Sequence, residues 1–195
     1  MDFLADYKFS VPGEDDGRPW YGVRLFSRRI KEVWESLAGG GMDFFVPMHG
    51  VDTQDASGRI RHAVRPVVSN LLFLKKTLPG RGMDDFVNSS PYGMSIIRSV
   101  DPASGLYVNA EIPAGQMRDF IIMCNPELAV RKFMGEREAA LKPGTLVAVH
   151  HGPLRGVTGK LVRAGKKYYL LKDIPGIAVA IQVSRWCCEP LQPRG

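Results

Sequence analysis

The C-terminal part of the chain alternates short apolar segments with glycine-rich turns, and this pattern restricts its fold more than any other feature. Four candidate strands follow one another at a spacing of about ten residues, at positions 146–149, 159–162, 168–171 and 178–181. Each segment is too short for a stable helix and is bounded by turn residues, which is typical of strands in small all-β domains. The spacing therefore predicts a small β-barrel over residues 142–195.

Charge is distributed unevenly along the sequence. Residues 1–17 carry five acidic side chains and one basic side chain, and they show no hydrophobic period. We expect this segment to be a flexible acidic tail. Residues 142–195 carry nine basic and two acidic side chains, a net charge of +7. A domain with this charge attracts polyanions, so DNA, RNA and the ribosome are all candidate partners.

Residues 18–123 show a different pattern, which predicts a separate α+β domain. The aromatic and β-branched segment 20–26 predicts a strand, and Ser27 is expected to cap the helix that follows. This helix has an apolar stripe at helical spacing, formed by Ile30, Val33, Trp34 and Leu37. Further strands are predicted at 44–46, 59–68, 71–74, 92–98 and 106–109, and a second helix begins at Pro113. This order favours helices packed on a largely antiparallel sheet.

Residues 124–141 separate the two patterns. They hold three basic and three acidic side chains and few apolar positions. We expect a partly helical linker between the α+β domain and the barrel.

Nothing in the sequence is typical of an enzyme or a metal site. His150 and His151 are adjacent on a predicted strand, so their side chains point to opposite faces and cannot share a metal ion. The three cysteines, Cys124, Cys187 and Cys188, are too few for a disulfide framework, and we expect reduced thiols in a cytoplasmic protein. The sequence has no membrane-spanning apolar run and no secretory leader. We therefore expect a protein without catalytic residues, cofactor, bound metal or membrane contact.

The first turn of the predicted barrel resembles a known motif. The segment Lys142-Pro143-Gly144 precedes the first strand, and the turn and its exit contain Gly152, Pro153, Leu154, Arg155, Gly156 and Gly159. This arrangement resembles the KOW motif of NusG-type transcription factors and several ribosomal proteins. The resemblance implies an SH3-like β-barrel whose loop, formed by these six residues, presents side chains to a partner. RNA, Rho and a ribosomal protein are the candidate partners of this domain.

The order of elements in residues 18–123 resembles the NusG N-terminal domain, called NGN. The matching features are the strand that opens at Trp20, the amphipathic helix, and the segments 44–47 and 65–74. With the barrel, the resemblance covers roughly residues 18–191. It is strongest to the UpxY-like paralogues of Bacteroidetes, which antiterminate transcription of polysaccharide operons. The chain departs from the common family pattern at 69–71, where Ser-Asn-Leu replaces Pro-Gly-Tyr, and in the link 101–105.

The resemblance implies a transcription elongation and antitermination factor that suppresses pausing or termination, and we expect it to be operon-specific. In the family, the NGN domain binds the coiled coil of the RNA polymerase clamp. The matching polymerase-binding residues are Phe45, Val67, Val68 and Leu71; the alternative is that these four residues belong to the core. The matching DNA-binding residues are Arg28, Arg29 and Lys31, which would face non-template DNA or nascent RNA; the alternative is a solvated basic face.

A second interpretation is a ribosome- or RNA-associated KOW protein without a role at the polymerase. Both interpretations describe a cytoplasmic protein that we expect to be a monomer. They differ in what the α+β domain binds. An apolar contact with the clamp should survive moderate salt, whereas binding to RNA alone should weaken steeply through counterion release.

Overall fold

The computed structural model describes Phe9 and residues 16–27, 29–54, 56–128 and 130–191, without the side chain of residue 61. The chain divides into two compact units, one over Asp16–Pro113 and the other over Ala114–Gly195. Within the described residues it is an α+β protein with four α-helices and antiparallel sheets, as predicted. None of the described helices is long and apolar enough to cross a membrane.

The first unit is built on one main antiparallel sheet. Its strands are β1 (Trp20–Leu25), β2 (Phe44–Phe45), β3 (Met48–Gln54), β4 (Ile60–Pro66), β5 (Leu71–Lys75), β6 (Met94–Ile96), β7 (Arg98–Val100), β8 (Tyr107–Asn109) and β9 (Glu111–Ile112), and its helices are α1 (Ile30–Gly39) and α2 (Gly82–Asn88). The main sheet has the order β2-β5-β1-β6, and β9 also pairs with β1. Strands β3 and β4 form a separate hairpin, as do β7 and β8.

Both helices of the first unit pack on this sheet. Val33 and Leu37 of α1 join Met83 and Val87 of α2 in one buried core with side chains of β1, β5 and β6. The predicted apolar stripe of α1 therefore faces the core, with Ile30 and Trp34 at its edge. Strand β5 is buried over Leu71–Leu74 and pairs with β2 on one side and β1 on the other, which confirms the prediction of a covered strand.

The start of α1 differs from the prediction. The helix begins at Ile30, and Arg29 occupies the N-cap position without a side-chain hydrogen bond. The prediction that Ser27 caps the helix is wrong because the Ser27 hydroxyl donates instead to the carbonyl oxygen of Tyr92, at 3.5 Å. The helix ends at Gly39, and Gly41 beyond it adopts a φ of +67°, which favours glycine.

The second unit contains a six-stranded antiparallel sheet. Its elements are α3 (Ala114–Met123), β10 (Arg131–Met134), α4 (Glu136–Ala140), β11 (Thr145–Val149), β12 (Thr158–Ala164), β13 (Lys167–Ile174), β14 (Ile177–Val183), a 3₁₀ turn (Arg185–Cys187) and β15 (Cys188–Pro190). The four strands predicted from the ten-residue spacing are β11 to β14. The strand order is β10-β14-β13-β12-β11-β15, and within the described residues the two outer strands do not pair with each other.

Residues 124–141 differ from the predicted linker. Strand β10 pairs with β14 over four residues, and Ala139 of α4 is buried in a core with Leu171 and Ala178. The mixed charges of this segment are compatible with an edge strand, because Lys132 is exposed whereas Phe133 is partly buried. The segment is therefore part of the second unit.

Helix α3 was predicted within the 18–123 domain, and its contacts group it with the second unit. Met117, Phe120 and Ile121, which recur at helical spacing, are buried. On the same helix Asp119 accepts hydrogen bonds from the amide of Thr158 at 3.0 Å and its hydroxyl at 2.7 Å. Asp119 also pairs with Lys172 Nζ at 3.0 Å, and Lys172 is the buried charged residue of the described core. A buried ion pair thus joins α3 to β13.

Candidate functional site

The loop between β4 and β5 carries Val67, Val68 and, at its end, Leu71. Hydrogen bonds hold both sides of this loop: the Val67 amide donates to the Pro47 carbonyl at 2.8 Å, and the Leu25 amide donates to the Asn70 carbonyl at 2.9 Å. Val67 and Val68 are partly exposed. Val67 and Val68 are therefore the accessible members of the four predicted polymerase-binding residues.

The other two residues of that set are buried. Leu71 is 1% exposed and Phe45 is 9% exposed, and they lie on the paired strands β5 and β2. A partner that binds the β4–β5 loop meets the valines at its surface.

The start of α1 is a basic surface. Arg29 and Lys31 are exposed, and Arg28 lies outside the described residues. Arg29 Nε lies 3.4 Å from Glu32 Oε1, and Lys31 Nζ lies 3.9 Å from a carboxylate oxygen of Glu35. Exposed pairs of this kind contribute little to stability, so both cations can exchange a carboxylate for a phosphate at small cost.

Two aromatic residues lie beside this basic surface. The Arg29 guanidinium is 5.8 Å from the centroid of the Tyr92 ring. Phe26 is 77% exposed, its amide donates to the Gly93 carbonyl at 2.9 Å, and its ring lies against Gly93. Cations and aromatic rings on one surface are the general features that bind an unpaired base.

Phe26 falls within the predicted first strand and is not among the predicted binding residues. The alternation of side chains along the strand could have predicted its exposure, because positions 24 and 26 share a face opposite the buried Val23 and Leu25. Arg24 and Phe26 are accordingly exposed.

The predicted KOW loop connects β11 to β12. Gly152 and Gly156 adopt φ angles of +82° and +87°, which favour glycine. The Gly156 amide donates to the Val149 carbonyl at 2.8 Å and closes the loop. Leu154 is buried beneath it, whereas Pro153 and Arg155 are exposed. The loop is thus a compact turn that presents a proline and an arginine to solvent.

Gly159 has a different role from the loop glycines. A Cβ atom at this position would lie 2.7 Å from the Leu171 carbonyl oxygen and 3.0 Å from Leu170 Cδ1. Gly159 therefore permits the close approach of β12 and β13 rather than a turn.

The remaining chemistry-bearing groups are histidine, cysteine and carboxylate side chains. In the part of the chain that the structure describes, no group of three or more His, Cys, Asp and Glu side chains is arranged to hold a metal ion. Cys124, Cys187 and Cys188 are free thiols. Burial raises the pKa of the Cys124 thiol far above its ordinary value, which keeps it protonated and unreactive.

A comparison with known protein families identifies a match that covers the first unit. A family model described as transcription termination factor nusG matches residues 18–120, more than half of the chain. The match spans the β4–β5 loop, the basic surface and most of α3, and ends before the second unit's sheet. A search of curated proteins returned no match.

Proposed function

Because the chain belongs to the NusG family of transcription factors, we propose that it is an antitermination and elongation factor that binds the clamp of RNA polymerase and suppresses pausing or termination. Membership of this family supports RNA polymerase as a partner in general. It also favours a transcription factor over an enzyme or a ribosome-associated protein without a polymerase role. The observation that carries the clamp proposal is the partly exposed Val67–Val68 surface in a loop held by backbone hydrogen bonds.

A fixed apolar loop suits binding to a coiled coil. The loop is already ordered by the amides of Val67 and Leu25, so little conformational entropy is lost when a partner covers it. Two valines offer apolar area without a charge that would need desolvation. In this proposal the first unit bridges the clamp and the opposite lobe, and a closed cleft disfavours pausing.

We propose that the start of α1 contacts exposed non-template DNA or nascent RNA. Its cations are Arg28, Arg29 and Lys31, and Phe26 and Tyr92 supply rings on which a base can stack. Contacts between the cations and the phosphates bind the strand independently of its sequence, whereas stacking requires an unpaired base. The surface therefore suits the single strand of a transcription bubble better than a duplex.

We propose that the second unit is a KOW domain with an SH3-like barrel. The positive φ angles of Gly152 and Gly156 and the compact turn between β11 and β12 support this proposal. RNA, Rho or a ribosomal protein is the proposed partner of this unit. The departure at 69–71 and the link 101–105 favour a specialised factor of the UpxY type that serves particular operons, such as polysaccharide operons. We propose that it acts in the cytoplasm as a monomer.

The clamp contact is tested by Val67→Asp in the full chain, titrated against core RNA polymerase. A carboxylate in an apolar contact must be desolvated, so we expect binding to weaken by about tenfold or more. The matched control is Val100→Asp, since Val100 is a 50% exposed valine on β7 of the same unit. Equal affinity of Val67→Asp and the control would reject the β4–β5 loop as the clamp contact.

The nucleic-acid contact is tested by the double variant Arg28→Ala and Arg29→Ala. Removing these phosphate-binding cations should reduce read-through of a terminator more than it reduces polymerase binding, because the clamp contact uses a different surface. The two measurements are a terminator read-through reaction and a polymerase-binding titration on the same preparation. Read-through at the parental level would show that these cations face solvent and do not contact nucleic acid.

A further inference from the structure

The 3₁₀ turn between β14 and β15 exposes a tryptophan. Trp186 is 76% exposed, and its neighbour Arg185 is exposed as well. An aromatic ring offers about 150–250 Å² for burial in general, so leaving it in solvent forgoes a large contribution to stability. A ligand explains the position of Trp186 better than the fold does.

A second ring lies beside Trp186. The centroids of the Trp186 and His151 rings are 5.9 Å apart and their planes are inclined by 35°. The two segments that carry them are joined, since the His150 amide donates to the Cys187 carbonyl at 2.8 Å and Val149 pairs with Cys188 across β11 and β15. The backbone segments that carry the two rings are therefore joined before any ligand binds.

A cavity of about 180 Å³ adjoins these rings. Its lining includes the buried apolar residues Leu154 and Ile181, which we take as its floor, and the exposed polar residues Gln182 and Ser184, which we take as its rim. His151 contributes to the wall, so the cavity and the ring pair are continuous. An apolar floor accepts the face of a planar ring, and amide and hydroxyl groups at the rim can bond to its edge.

The charge around the rings is positive. Arg155 in the β11–β12 loop and Arg185 in the turn are both exposed, and no ion pair within the described residues holds either side chain. Glu189, a carboxylate on the adjoining strand β15, pairs with His150 at 3.3 Å. Residues 142–195 carry a net charge of +7, so the surface attracts a polyanion rather than a basic partner.

We propose that this surface binds single-stranded nucleic acid. One base stacks on Trp186 and His151, a neighbouring base enters the cavity, and Arg155 and Arg185 contact the phosphates. The combination of an open aromatic face with flanking cations is the general solution for binding unpaired strands. We call Trp186, His151, Arg155 and Arg185 the stacking platform. It lies outside the segment that the family model matches and does not depend on the clamp contact.

The test uses the full chain carrying Arg28→Ala and Arg29→Ala, which removes the proposed nucleic-acid contact of the first unit. Fluorescence anisotropy follows the binding of oligouridylate RNA, oligothymidylate DNA of equal length, and a duplex. Trp186→Ala should weaken binding of both single strands about 5- to 150-fold, as expected when one base no longer stacks. Trp186→Phe should retain most of the affinity because it keeps a ring. The matched control is Tyr107→Ala, since Tyr107 is an aromatic residue that is 73% exposed in the first unit.

Two further measurements separate stacking from indirect effects. Single strands should quench the tryptophan fluorescence of the parent chain, and this quenching should be absent in Trp186→Phe. Arg155→Ala with Arg185→Ala should lower the slope of log affinity against log salt by about 0.7 for each phosphate that the variant no longer neutralises. Tighter binding of the RNA than the DNA would place a 2′-hydroxyl contact at the polar rim, and equal binding would limit recognition to stacking and phosphate.

The proposal is overturned if Trp186→Ala binds single strands as the parent does, or if Trp186→Phe loses as much affinity as Trp186→Ala. It is also overturned if the duplex binds as tightly as the single strands. The urea midpoint of each variant checks that it remains folded. If Trp186→Ala lowers that midpoint, the double variant of Arg155→Ala and Arg185→Ala, which keeps both rings, tests the surface instead.

Discussion

Replacing Asp119 by alanine should destabilise the second unit strongly. The Asp119 side chain is 14% exposed and that of its partner Lys172 is 10% exposed. Removing the carboxylate leaves a buried ammonium without its counter-ion and leaves the Thr158 amide without an acceptor. Breaking a buried pair by deleting one partner costs about 3–5 kcal/mol.

The structure places the expected loss at the lower end of this range. After the substitution Lys172 Nζ still has two acceptors, the Thr158 carbonyl oxygen at 3.1 Å and the Thr158 hydroxyl at 3.2 Å. We therefore expect a loss of about 3 kcal/mol in the free energy of unfolding. Adding Lys172→Met removes the uncompensated charge. The double variant should then lose only about 1 kcal/mol, the cost of the unsatisfied Thr158 amide.

Urea unfolding of the full chain measures these differences. Hydrogen exchange followed by mass spectrometry assigns them, because protection should fall in α3 and β13 and stay unchanged in β1 and β5. Asp173→Ala is the matched control, since Asp173 is the exposed carboxylate next to Lys172 on β13. It should change the free energy of unfolding by no more than about 0.5 kcal/mol.

Two results would refute this reasoning. A loss below about 1 kcal/mol in Asp119→Ala would mean that the pair is solvated in solution. A double variant as unstable as Asp119→Ala alone would mean that Lys172 is not the group left uncompensated, because removing the lysine would then recover no stability.

Two other substitutions test packing and charge. Lys76 Nζ lies 2.6 Å from Glu111 Oε1 and holds the pKa of Glu111 below its ordinary value of 4.5. The stabilisation by this pair is therefore complete above pH 4.5, and it is lost as the pH falls through the lowered pKa. Glu111→Gln should reduce the acid-dependent loss of stability in urea titrations between neutral and acidic pH, and an unchanged pH profile would contradict the linkage. Gly159→Ala should cost about 1–3 kcal/mol because its Cβ would meet the Leu171 carbonyl at 2.7 Å. Gly135→Ala, where no atom lies within 4 Å of the new Cβ, is its control, and equal urea midpoints for the two variants would argue against close packing at Gly159.

Elements with a strong local pattern could be predicted from the sequence. The stripe from Ile30 to Leu37 predicted α1, and the uninterrupted apolar run at Leu71–Leu74 predicted a covered strand. The ten-residue spacing predicted β11 to β14. These patterns work because burial on one face, or on both, leaves a period that is visible within a few residues.

Features that depend on distant partners could not be predicted in this way. Strand β10 is charged and short, and only its pairing with β14 identifies it as a strand. The helical stripe of α3 indicates that Phe120 is buried but does not indicate which sheet buries it. Asp119 looks like a surface residue in the sequence, because nothing local reveals a lysine that lies 53 positions further along the chain. Ser27 is a good cap by residue type, yet its hydroxyl bonds to the Tyr92 carbonyl instead.

The position of α3 decides how the protein can be divided. A fragment that ends at residue 123 would keep the buried side chains of Met117 and Phe120 without the strands β13 and β14 that contact their helix, so it would expose apolar surface and tend to aggregate. A fragment that starts at residue 124 would expose the matching face of the sheet. The break between compact units falls after Pro113, so chimeras that exchange C-terminal units with relatives should be joined there, and α3 should move together with the sheet.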